Sequence, residues 1–222
     1  MNFTARAFQR NSGPQPSVSV TTVDGQTITS GNLNDRIDIR AGAFNRGGYA
    51  EATGLNNSSI ATAAGNDSVR IHAHARGMST NAWAMRNSSL DVGPGHDKID
   101  LRAVTRAGAF DPAYGMDTSS IITGLGNDKL RINAIARGNT TSTIAAYGAL
   151  NSQINTGANH DNARRLQRRL RDLSSLPRLA TRVRAVGALA GSAGRRWRRE
   201  RRGAWWWPAH LHSLRRRGRG LA

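Results

Sequence analysis

The chain contains no cysteine, which excludes disulfide staples and thiolate metal sites. Aromatic residues make up 5%, few for an enzyme built around a packed core. No stretch reaches the run of about 18 apolar residues that a membrane span requires. Met1–Val20 carries Arg6 and Arg10 with no apolar run behind them, so it does not read as a cleavable secretory signal. Acidic residues are scarce, 14 against 32 Lys+Arg, a formal net charge of +18 over 222 residues. The imbalance is local. Residues 162–222 hold 18 Arg, no Lys, and only Asp172 and Glu200 as acids, so they contribute +16 and the preceding residues only +2.

What the body does contain is a repeat, the feature that decides fold class when present. Four segments align: TITSGNLNDRIDIRA from Thr27, SIATAAGNDSVRIHA from Ser59, SLDVGPGHDKIDLRA from Ser89 and SIITGLGNDKLRINA from Ser120. A fifth, QINTGANHD from Gln153, begins the pattern and stops. The anchors Asp35, Asp67, Asp97, Asp128 and Asp161 are spaced 32, 30, 31 and 33 residues apart.

Each unit opens with a short apolar strand start, passes through a glycine turn and enters a strand of period 2. The alternation places Ile37, Ile39 and Ala41 inward, then Val69, Ile71 and Ala73, then Ile99, Leu101 and Ala103, then Leu130, Ile132 and Ala134. A second small-residue stretch follows (Ala50–Thr53, Ala82–Met85, Ala113–Met116, Ile144–Gly148). A polar corner such as Asn57-Ser58-Ser59 closes the unit. A unit this small cannot bury a core alone, whereas stacked units pool their apolar rows. The expected fold is all-β, a parallel β-solenoid with coils of about 31 residues and strands about 4.8 Å apart. An antiparallel sandwich or barrel is the competitor, and it explains the constant period less well. The expected division is an N-terminal lead (1–26), the solenoid (27–161) and an Arg/Trp-rich tail (162–222).

Stacking would bring the aspartates into one column, where like charges repel by roughly 1 kcal/mol per pair even in water. The Gly-x-Gly-Asn-Asp-x-Leu-x-Ile turn at Gly124–Ile132 resembles the haemolysin-type calcium-binding repeat of RTX proteins. That resemblance implies a β-roll, calcium between turns, and a secreted protein at the cell surface or outside the cell, exported by a type I system with an uncleaved C-terminal signal. Cell-surface or matrix contacts would then be its partners. The residues that would hold Ca²⁺ are Asp35, Asp67, Asp97 and Asp128, with Gly93, Gly95, Gly124 and Gly126 lending carbonyls and Asn66 and Asn127 amide oxygens. Calcium takes 6–8 oxygens. The motif departs from the family in occurring once per unit rather than in tandem, and in carrying Thr123 or Val92 for the first glycine. The alternative needs no metal: Asn and Asp cap tight corners and form side-chain ladders along the coils. His96 and His160 in the Asn slot favour it, histidine being a poor calcium ligand.

Other residues read more plainly. Asp38 and Asp100 sit beside Arg36, Arg40, Lys98 and Arg102 and are expected to form exposed cross-strand ion pairs, each worth little. His72 and His74 share a strand face at a spacing that can take a metal, against the simpler expectation of a solvated face. Trp83 is expected to pack. Ser, His and Asp occur without a nucleophile motif around them, so no enzymatic activity is expected.

In the tail, a basic helix over 164–186 is one expectation, and disorder or weak helicity the general one. Arg with Trp197 and Trp205–Trp207 would suit nucleic acid. A frameshifted reading of GC-rich repeat codons yields the same composition, and predicts further Gly-x-Gly-Asn-Asp units in another frame. The functional expectations are therefore a calcium-associated structural or surface module, a nucleic-acid binder acting through residues 162–222, or a metal-free adhesive solenoid.

Overall fold

The structure is a computed structural model describing residues 1–9, 17–138, 143–157 and 161–171. The described residues contain fourteen β-strands and no helix. Short strands β3 (Thr27–Thr29), β6 (Ser59–Ala61), β8 (Ser89–Asp91), β10 (Ser120–Ile122) and β13 (Gln153–Asn155) are the strand starts of the five units. They pair in parallel, in chain order, as one sheet. The other strands form a nine-stranded sheet. One path runs through β1 (Asn2–Gln9), β4 (Arg36–Asn45), β7 (Ser68–Arg86), β9 (Lys98–Asp117), β11 (Lys129–Gly138) and β14 (Asn162–Arg171). A second row consists of β2 (Val18–Asp24), β5 (Tyr49–Asn56), the later halves of β7 and β9, and β12 (Thr143–Leu150).

All pairings are parallel and join equivalent residues of successive units. The solenoid is thus present, and the antiparallel alternative is excluded. The uneven aspartate spacing is absorbed far from the glycine turn. The first unit uses a turn between Asn45 and Tyr49, while β7 runs straight through with a register shift between Gly77 and Ser79.

The inward residues expected from alternation are all buried and form two zones. The columns Ile37–Val69–Ile99–Leu130 and Ile39–Ile71–Leu101–Ile132 pack with Leu55, Met85, Met116 and the short-strand residues Ile60, Leu90 and Ile121. A second zone is almost wholly alanine, with columns such as Ala41–Ala73–Ala103–Ala134 facing Ala50, Ala52, Ala82 and Ala113. Large side chains hold the coil open at one end, and methyl groups let the two rows close together at the other. Each fully buried Ile, Leu or Met contributes about 1.5–3 kcal/mol.

Two boundaries differ from expectation. The lead is part of the solenoid: Asn2 aligns with Asp38 and Val18 with Ala50, so β1 and β2 make a partial coil ahead of the first motif. It has no Asn-Asp turn, and so no period reveals it. Residues 162–171 are neither disordered nor helical but form β14, aligned along β11. Arg165 occupies the column of Ile132 and Arg169 that of Ala136. The backbone groups of β11 supply a template that the apolar pattern does not announce. The remaining tail expectations, including nucleic-acid contact, fall mainly on 172–222, outside the described residues.

Candidate functional site

The glycine turns stack as two polar columns. In the first, the backbone N–H of each anchor aspartate donates to Oδ1 of the next coil's aspartate. The distances are 2.8 Å for Asp35 to Asp67, 2.8 Å for Asp67 to Asp97, 2.9 Å for Asp97 to Asp128 and 3.1 Å for Asp128 to Asp161. In the second, Asn66 N–H donates to Asn34 Oδ1 (2.7 Å), His96 N–H to Asn66 Oδ1 (2.8 Å) and Asn127 N–H to His96 Nδ1 (3.0 Å). His96 replaces Asn because its Nδ1 offers an acceptor in the same place.

Asp67, Asp97 and Asp128 are buried, and each has one oxygen without a partner, Oδ2; so does the half-buried Asp35. Burial is the main force on Asp97, and the carboxylates of Asp128 and Asp67 add to it, outweighing the N–H that Asp67 donates. The Asp97 carboxyl is pushed from 3.8 up to about 6.

Gly93, Gly95, Gly124 and Gly126 do lie together at this edge, packed backbone on backbone. A Cβ on Gly126 (φ +153°) would fall on the carbonyl oxygen of Gly95, and one on Gly95 on that of Gly65. The residues between these glycines tie the turns together: Pro94 O accepts Gly65 N–H and Leu125 O accepts Gly95 N–H, at 3.1 and 2.8 Å. Of the residues the resemblance singles out, the aspartates keep one open oxygen each, while Asn66 has its oxygen in the ladder. Among the described residues no three His, Asp or Glu gather as metal ligands do.

The polar corner holds a third ladder that sequence reading reduced to a turn. Asn57, Asn87, Thr118 and Asn151 take positive φ (47–49°), a conformation Asn tolerates better than most residues. The following serines link coil to coil. Ser58 N–H donates to Ser88 Oγ at 3.2 Å, Ser88 N–H to Ser119 Oγ at 3.2 Å and Ser119 N–H to Ser152 Oγ at 3.1 Å. Each hydroxyl donates in turn to a carbonyl two residues back, as Ser88 Oγ does to Arg86 O at 2.6 Å.

Elsewhere the outcomes are mixed. Asp38 is buried rather than exposed, and its main partner is on its own strand: Arg40 donates to both its oxygens, at 2.9 and 2.7 Å, with Arg70 across the strands at 3.8 Å. The Arg40 hydrogen bond holds the Asp38 carboxyl below its ordinary value. His72 and His74 do not act as a pair. His72 Nε2 lies 3.6 Å from Asp100 Oδ2, whereas His74 meets the Phe44 ring edge-on at 5.3 Å. Trp83 packs as expected, stacked on Tyr114, which stacks on Tyr147, both at 5.2 Å. Asp111, fully buried, accepts Thr80 Oγ1 at 3.1 Å, and burial pushes it up to about 6. Nothing in the sequence marked it.

Comparison with protein families, curated proteins and solved structures found no match.

Proposed function

We propose that residues 2–171 act as a non-catalytic structural module, an adhesive solenoid whose coils are closed by side-chain ladders and whose flat sheet is its working surface. The observation that carries this reading is the commitment of the turn and corner groups to the neighbouring coil. The groove along the corner, about 550 Å³, is lined by the Asn and Ser residues of that ladder, with no nucleophile and base facing each other. A solenoid of this kind suits surface or matrix contacts.

A second reading, calcium along the aspartate column, draws on the orphaned Oδ2 atoms of Asp67, Asp97 and Asp128. It asks for further oxygens that the column itself does not supply. Thermal melting of the full chain by circular dichroism, with calcium and then with EDTA, separates the two. A melting temperature indifferent to both is the expected result. A reversible rise with calcium, lost in the Asp97→Ala and Asp128→Ala variants, would replace the ladder reading with the metal one.

A further inference from the structure

The outer face of the β4–β7–β9–β11 sheet carries cations in register. One column there neutralises itself by alternation, Asp38–Arg70–Asp100–Arg131. Other columns do not. Lys98 and Lys129 follow one another in the adjacent column on the glycine-turn side. On the other side, beyond the columns Arg40–His72–Arg102–Asn133 and Gly42–His74–Val104–Ile135, Arg76, Arg106 and Arg137 stand in one column, which Phe44 and Phe8 continue. These three arginines are exposed, and among the described residues none forms an ion pair; the ion pairs there involve Asp38 and Asp100. With Arg46 they line a shallow groove of about 470 Å³ floored by Gly77 and Gly138. Like charges set one strand apart, about 4.8 Å at the backbone, repel unless an anion lies over them.

We propose that this face binds an acidic polysaccharide of the polyuronate class, laid along the solenoid axis over Arg76, Arg106 and Arg137, one carboxylate to each coil. The proposal rests on the adhesive-module reading and names its ligand. Three features select this occupant. The charge is opposite and periodic, and a sugar ring is about as long as the strand spacing. The cations of the column are all arginine, whose planar fork takes a carboxylate bidentately. Single strands stack successive bases on a series of aromatic platforms, and this column offers one: Phe8 is exposed and stacks on Phe44 at 4.7 Å, while the Trp83 stack lies on the other row. The uncompensated field is felt at His74, whose pKa is lowered by burial first and then by Arg106, Arg102, Arg76 and Arg137.

The test is arginine footprinting of the full chain with phenylglyoxal, read by mass spectrometry, with polygalacturonate or single-stranded poly-dT as the added probe. This readout separates the face from the Arg-rich residues 172–222. Polygalacturonate is expected to protect Arg76, Arg106 and Arg137, and poly-dT is not. Equal or stronger protection by poly-dT would overturn the proposal in favour of nucleic acid. Protection confined to the tail arginines, or absent, would overturn it outright. In the Arg76→Ser/Arg106→Ser/Arg137→Ser variant, polygalacturonate binding is expected to weaken at least about tenfold with the loss of the bidentate bonds; unchanged binding would count against the column. Melting of the unliganded chain in EDTA reports on the module reading separately, so a folded, metal-indifferent protein that ignores polyuronate sinks only this inference.

Discussion

Oδ1 of Asp97 accepts the backbone N–H of Asp67 across one coil at 2.8 Å, while Oδ2 of the same carboxyl is buried without a partner. The carboxyl is therefore half structural and half costly. Asp97→Ala removes the acceptor and leaves a buried N–H unsatisfied, at a cost of about 1–3 kcal/mol. Asp97→Asn keeps an oxygen for Asp67 and places an NH₂ where the orphan sat. It is expected to match or exceed the wild-type melting temperature at neutral pH. A calcium site would reverse the second result, because Asn carries no charge for the ion.

The pH dependence follows from the same group. The folded Asp97 carboxyl titrates at about 6 against an ordinary 3.8, so the folded state holds a proton that the unfolded chain has released. Its contribution is fully present below 3.8 and is lost as pH rises through about 6. Asp111 acts in the same sense. Asp38 and Asp100, held low by Arg40 and His72 respectively, act in the opposite sense: their stabilisation is lost as pH falls through their lowered values. The clean measurement is the melting-temperature difference between Asp97→Asn and wild type. It should be largest at neutral pH and shrink steadily toward 3.8.

Glycine in the turn column is required by backbone contact. Gly126→Ala sets a methyl group on the Gly95 carbonyl at a positive φ, and should destabilise by more than about 3 kcal/mol. Gly31→Ala meets nothing within 4 Å and should fall within about 0.5 kcal/mol of wild type. Denaturant melts of both variants check the contrast.

The serine ladder predicts a loss at a position that looks like an ordinary turn. Ser88→Ala removes the acceptor of the Ser58 N–H and the donor to Arg86 O. The expected cost is about 1–3 kcal/mol, a fall of some 2–4 °C in melting temperature per kcal/mol for a chain of this size. Exchange of the Ser58 amide hydrogen should quicken in the variant.

The repeat, the parallel stacking and the buried columns from Ile37 to Ala134 were legible in the residues alone. A period-2 pattern recurring at a near-constant interval has one economical solution, in which like residues lie on like. Local chemistry also foretold Asn and Asp at the corners. Other features depend on what one coil offers the next. Which carboxylate oxygen is used and which is stranded, why His96 can replace Asn, and why Asp38 is covered are set by neighbours 30–33 residues away in the Asp, Asn and His ladders and by a same-strand Arg40. The capture of residues 2–9 and 162–171 as strands is of the same kind. Neither segment carries the motif, and β4 and β11 recruit them through backbone hydrogen-bonding groups that every residue possesses. Side-chain period writes the inside of the coil into the sequence, whereas backbone templating and the field of stacked charges exist only once the coils are assembled.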